Sequence, residues 1–247
     1  MFQFDQVSKQ YAKSKVKALD DLTLHVNKGE IFGFIGPNGA GKTTTIRLLT
    51  GILTPDSGSI HIGGYDMAQT PLDAKRLIGF VPDNQEMYER LTGLEYLQFL
   101  ADIYQVDSAQ RKEHLEKYLP LFQLESAAGQ QIRSYSRGMK QKLTIIGALI
   151  HKPPLWVLDE PMTGLDPMAV HLLKEEMRAH CDAGNTVFFS THVLDVAEKL
   201  CDRIAIIIKG KLLAAGTLES LRSGEHGASL EEVFLEMVKE TAGEEKA

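Results

Sequence analysis

The stretch from Gly36 to Thr44 reads Gly-Pro-Asn-Gly-Ala-Gly-Lys-Thr-Thr and concentrates backbone freedom, a cation and neighbouring hydroxyls in one place. The spacing of Gly36, Gly41, Lys42 and Thr43 fits the P-loop template. Gly36, Gly39 and Gly41 permit conformations that other residues resist, so successive N–H groups along Pro37, Asn38, Ala40 and Thr44 can wrap phosphate oxygens wherever an N–H exists. Lys42 can reach the β and γ phosphates as a point charge, and the Thr43 hydroxyl can ligate a magnesium ion bridging the same groups. The ligand implied is a nucleoside triphosphate with Mg2+. The alternative, a glycine-rich turn that binds nothing, is disfavoured by what flanks the loop. An apolar run Ile31-Phe32-Gly33-Phe34-Ile35 precedes it, and a helical pattern through Ile46, Leu48 and Leu49 follows, whose N-terminus adds free N–H groups and a positive dipole end.

A second acidic motif defines the reaction. Leu155-Trp156-Val157-Leu158 has the pattern of a buried strand and ends in Asp159-Glu160-Pro161 at the sheet's edge. In a P-loop protein such an Asp is the second holder of magnesium, which assigns that role to Asp159 and leaves Glu160 to orient or deprotonate the water that attacks the γ phosphate. The competing possibility is an exposed acidic pair at a strand end. Trp156, within the apolar run, reads as core rather than as a stacking platform.

With Tyr135-Ser136-Arg137-Gly138-Met139-Lys140-Gln141-Lys142 the chain resembles the nucleotide-binding subunit of an ATP-binding cassette (ABC) transporter. Ser136 and Gly138 hold the informative positions of that family's LSGGQ-like signature. Tyr11 stands where the family places an aromatic that stacks on adenine, Gly164-Leu165-Asp166 resembles the D-loop, and Ser190-Thr191-His192 contains the switch histidine. The resemblance runs from about Phe2 to about Gly216. It implies an α/β fold: a P-loop NTPase (RecA-like) core with an antiparallel β region and a helical subdomain, of the ABC ATPase type. It also implies ATP and Mg2+ as cofactors, and a homodimer or heterodimer with another such subunit, arranged head to tail. Lys42, Thr43, Asp159, Glu160 and His192 of one chain would then face Ser136 and Gly138 of the other. The partner implied is an integral membrane permease, met at the cytoplasmic face of the membrane.

The sequence departs from the family pattern twice. The Q-loop glutamine is replaced by Asp83, in Gly79-Phe80-Val81-Pro82-Asp83. A carboxylate can still meet magnesium or water, but it is shorter and cannot donate when ionised. Gln85 is the neighbour able to share its role. Arg137 takes the signature's first glycine position, where it can add a charge or point away.

The 247 residues, 43% of them hydrophobic, suffice for one large domain or a domain with a subdomain. Residues 1–217 read as an ABC ATPase domain with a helical subdomain from about 84 to 152, and 218–247 as a C-terminal helical extension and tail. Cys181 and Cys201 are too few for a disulfide framework and read as reduced structural thiols. No apolar run reaches membrane-span length and Met1-Phe2-Gln3-Phe4-Asp5 does not begin a signal peptide, so no direct membrane insertion is expected. The net charge of −6 argues against nucleic acid as a partner. Strands around Leu22–Val26 and Ser59–Ile62 are expected to surround the P-loop strand and to form the mixed β region that the resemblance implies, with further core strands at Thr186–Ser190 and Arg203–Ile208. Helices are expected from Thr92-Gly93-Leu94-Glu95, a capping box, and from Asp166-Pro167, a cap followed by a first-turn proline. A tail helix through Leu230, Val233, Phe234 and Met237 is expected to pack on its own domain, with residues from Glu240 to Ala247 unstructured.

Three functions fit these residues. The first is an ATP-hydrolysing transporter subunit, on the export side because the Arg137–Lys142 wording, the Tyr88–Thr92 stretch and the Leu230–Leu235 tail resemble exporter subunits. The second is a soluble ABC ATPase acting on ribosomes or nucleic acid, whose relatives usually carry paired cassettes or coiled-coil insertions that are absent from this sequence. The third is a non-hydrolysing ATP-dependent dimerisation sensor, against which Lys42, Asp159, Glu160 and His192 argue.

Overall fold

In the computed structural model, which describes residues 1–12, 14–222 and 229–244, two sheets and a set of helices enclose several apolar clusters. The chain begins with β1 (Phe2–Gln10), β2 (Lys17–Val26), β3 (Ile31–Ile35) and α1 (Lys42–Leu49), then β4 (Ser57–Ile62), β5 (Tyr65–Asp66), α2 (Pro71–Arg76) and β6 (Ile78–Val81). Helices α3 (Gly93–Ile103), α4 (Ser108–Leu121) and α5 (Arg137–Ala148) follow, then β7 (Leu155–Asp159), α6 (Pro167–Asp182), β8 (Thr186–Thr191) and α7 (Leu194–Leu200). The described chain closes with β9 (Arg203–Ile208), β10 (Lys211–Gly216), α8 (Leu218–Leu221) and α9 (Leu230–Glu244).

One sheet has the order β2-β1-β4-β5 and is antiparallel throughout. The other has the order β10-β9-β3-β8-β7-β6, parallel except for the edge strand β10. The sequence patterns explain the division. In β2, buried Leu22, Leu24 and Val26 alternate with exposed Thr23 and His25, the signature of a strand with one wet face. In β3 and β7 every residue is buried, as a central parallel strand covered on both faces requires. Phe32 and Phe34 of β3 meet Phe2, Phe4 and Phe188 between the sheets, while Trp156 and Phe189 pack on the opposite face with Leu143, Ile146, Leu173 and Met177 of α5 and α6.

Three expectations need correction. The strands at Leu22–Val26 and Ser59–Ile62 do not flank the P-loop strand; its neighbours are β8 and β9. Alternating strands cannot occupy the middle of a sheet buried on both faces, so they form the second layer. Helical structure begins at Gly93 rather than near Asn84, because the Thr92 hydroxyl accepts from the Glu95 N–H at 3.1 Å while the Glu95 carboxylate accepts from the Thr92 N–H at 2.8 Å, which starts the helix at that capping box. The last helix continues through Glu244, so the first part of the stretch expected to be unstructured is helical, while 245–247 lie outside the described residues. Leu230 and Val233 hold this helix on Ile35, Ala197 and Ile206 of the same chain. Among the described residues no helix is long and apolar enough to cross a membrane.

Candidate functional site

The parallel register sets the site. Ile35 pairs with Thr191, Asp159 with Ser190, and Val81 with Leu158, so β3, β8, β7 and β6 end at one level and release their loops on the same side. That carboxyl edge is where open α/β sheets bind ligands. The loops enclose a cleft of about 330 Å3 lined by Tyr11, Ala18, Pro37, Asn38, Gly39, Ala40, Gly41, Lys42, Thr43, Thr44, Asp83 and Glu160.

Gly41 is the N-cap of α1 and has φ 113°, and a Cβ there would lie 2.7 Å from the Ala18 carbonyl oxygen. Only glycine combines that backbone with that approach, which leaves the N-terminal N–H groups of α1 facing the cleft. Lys42 is buried and donates to the Gly36 carbonyl at 2.7 Å, with its Nζ 3.6 Å from Glu160 Oε1. The Tyr11 hydroxyl lies 3.2 Å from Thr44 Oγ1, which joins the tyrosine to the P-loop helix.

Asp159 is buried, and burial pushes its carboxyl up despite hydrogen bonds from Ser190 and Thr43, with the Asp83 and Glu160 charges adding to the rise. Ser190 serves both acids. Its hydroxyl donates to Asp159 Oδ1 at 2.5 Å and accepts from the Glu160 N–H at 3.2 Å. Glu160 itself has φ 46°, in the left-handed region that a non-glycine residue enters at a cost, and such strain concentrates at functional sites. His192, 55% exposed in its side chain, donates from Nδ1 to Glu160 Oε1 at 3.0 Å.

Ser136 and Gly138 do not line this cleft. Ser136 caps α5 by accepting from the Met139 N–H at 3.2 Å, and a Cβ on Gly138 would sit 2.9 Å from the Gly164 carbonyl oxygen. The Arg137 side chain lies along Gly164, and Lys142 pairs with Asp166 at 2.9 Å, so the signature and the D-loop form one surface. Gln85 also stays out of the cleft and turns toward Gln141 of α5. Ser190 and Gln141 were given no role by sequence reasoning. The paired hydroxyls Ser190-Thr191 that close the buried strand β8 were the available signal for Ser190, and for Gln141 it was its place in the signature stretch Tyr135–Lys142.

Beyond Gln85 the chain forms one wall of a separate groove of about 850 Å3, lined by Met87, Tyr88, Arg90, Leu91, Phe99 and Arg133 among others. Tyr88 and Phe99 remain 63% and 40% exposed while meeting edge to face at 5.6 Å. Cys181 and Cys201 are free, and burial pushes both thiols up, Cys181 to about 11.

The six-stranded sheet, the loop leaving β3 and the acids ending β7 define a P-loop NTPase. The ABC transporter family model matches residues 19–163. Nod factor export ATP-binding protein I of Cupriavidus metallidurans is 38% identical over 244 residues, 98% of this chain and 80% of that protein. A solved structure described as the ATP-binding subunit of an ABC transporter superposes with a TM-score of 0.92 at 37% identity, covering 96% of this chain and 99% of the other. A dimeric ATP-binding cassette in a post-hydrolysis state with ADP and Pi gives 0.78 at 26% identity, covering 88% and 99%. The chain belongs to the ABC transporter family, and it is an ATPase of that family.

Proposed function

We propose that the chain is the ATP-hydrolysing subunit of an exporter, binding Mg-ATP at a head-to-tail interface with a second ABC ATPase chain and driving a separate membrane permease. The observation that carries it is the meeting of Lys42, Asp83, Asp159, Glu160 and His192 around one P-loop cleft, with the signature serine and glycine outside it.

In this reading the N–H groups of the loop and Lys42 hold the phosphates, and Tyr11 stacks on the base. Thr43, Asp159 and Asp83 would hold Mg2+. They offer hard hydroxyl and carboxylate oxygens, and clustering Asp159 with two further carboxylates leaves an anionic site that a divalent cation would neutralise. When bound, Mg2+ offsets charge on the β and γ phosphates. Glu160, oriented by His192 and Ser190, takes a proton from water as that water's oxygen bonds to the γ phosphorus. The bond to the bridging oxygen breaks toward the β phosphate, giving ADP and phosphate. Ser136 and Gly138 from a second chain, identical or paralogous, would close over the same ATP, since Ser136 begins a helix whose N-terminus suits an anion.

Met87, Tyr88 and Phe99 supply an apolar seat for a permease segment, with Arg90 and Arg133 at its margin to meet acidic groups. The chain would thus sit peripherally at the cytoplasmic face of the membrane. Export is supported by the exporter-like stretches of the sequence and by the Nod factor export relative. Tagged Glu160→Gln chain, solubilised with Mg-ATP from its host, is expected to bring down a stoichiometric polytopic protein. Its turnover should fall about a hundred- to ten-thousand-fold with ATP binding retained. Recovery only with ribosomes or nucleic acid would reject transport, and wild-type turnover would reject Glu160 as the base.

A further inference from the structure

We infer that Gln141 is a positioning residue for ATP hydrolysis, tying the loop that carries Asp83 to the backbone that follows Glu160. Gln141 is 1% exposed in the middle of α5 and lines no part of the ATP cleft. Its Nε2 donates to the Pro161 carbonyl at 2.9 Å, and its Oε1 accepts from Gln85 Nε2. The same Gln85 nitrogen donates to the Asp83 carbonyl at 3.2 Å. Two loops distant in sequence are joined through one buried amide on α5.

The polarity of this chain of bonds is forced. A carbonyl can only accept, so Pro161 fixes the nitrogen of the Gln141 amide toward itself and its oxygen toward Gln85, which must answer with N–H. A buried amide left half-paired costs the full desolvation of the orphaned atom, so the arrangement holds as a unit or fails as one. Its consequence falls on Glu160. That residue is held in a left-handed conformation immediately before Pro161, and such a conformation persists only where its surroundings over-determine it. Ser190 restrains Glu160 from the β8 side and Gln141 restrains the following peptide from the α5 side. Gln85 lies two residues before Met87 of the apolar groove, so a shift of that loop reaches Glu160 through Gln141.

The inference rests on the catalytic role proposed for Glu160. The test compares full-length wild type, Gln141→Leu, Gln85→Ala, their combination and Glu160→Gln, measuring kcat at saturating Mg-ATP and the Kd of a fluorescent ATP analogue. Loss of one such tie corresponds to about tenfold in kcat for Q141L. Kd is expected to stay within about twofold, because no Gln141 atom faces the cleft. Q85A should lower kcat in the same direction, and the double variant should be no slower than Q141L alone. Unchanged kcat in both single variants, effects that multiply in the double, or a loss confined to Kd would each overturn the assignment. If Q141L does not fold, Q85A decides, since its half-exposed side chain can be removed without opening the core. A silent E160Q beside unimpaired Q141L and Q85A sinks only the role of Gln141; an active E160Q sinks the catalytic base itself.

Discussion

Lowering the pH from 7 to 5 is expected to strip much of the fold's stability through three histidines at the junction of α4, α5 and α6. His114 donates from Nε2 to the Ile146 carbonyl at 2.9 Å, His151 stacks on Tyr104 at 3.6 Å, and His180 meets Trp156 edge on at 5.6 Å. Burial is the main cause that lowers each from 6.5 to about 4, with Lys117 and Lys152 adding to the depression at His114 and Glu113 and Glu176 opposing it nearby. The sign follows directly. Above 6.5 both folded and unfolded chains hold these rings neutral. Below it the unfolded chain binds protons that the folded chain refuses, so stability falls as pH falls until about 4 is reached. At pH 5 the deficit is about 1.5 units per ring, or about 2 kcal/mol each and about 5–6 kcal/mol together. That is comparable with the whole stability of a marginal domain. Urea unfolding at the two pH values, with imidazole C–H resonances followed by NMR, measures it. His180→Phe, which keeps an aromatic ring against Trp156, should remove about a third of the pH dependence. Equal urea midpoints at pH 7 and 5, or three rings titrating near 6.5, would refute the reasoning.

Two further outcomes are expected. Chelating Mg2+ with EDTA should abolish ATP turnover, and added Mg2+ should restore it; turnover that persists in EDTA would remove Thr43, Asp159 and Asp83 from the role given to them. Thr92→Ala removes the side-chain half of the capping box and should lower unfolding stability by about 1 kcal/mol while leaving ATP affinity unchanged, as read from urea curves and nucleotide titration.

Local chemistry was readable along the chain wherever a residue's type constrains its own few neighbours. The left-handed Gly41, the capping box at Thr92, the cap at Asp166 and the uniformly apolar β3 and β7 all follow from short-range sterics, hydrogen bonding and burial, and they mark the P-loop, the helix starts and the acid-bearing strand. The tertiary structure alone decided which strands are neighbours. The expectation that Leu22–Val26 and Ser59–Ile62 flank the P-loop strand failed because periodicity tells which faces of a strand are wet, and not which strand lies beside it. Register then brought Asp159 against Ser190, and the approach of α5 brought Gln141 between Gln85 and Pro161. Hydrogen bonds between residues so far apart in sequence depend on how the layers pack, and no local pattern encodes that distance. The sequence by itself therefore determined the chemistry available to this protein, and the packing of its layers decided which of those groups can act together.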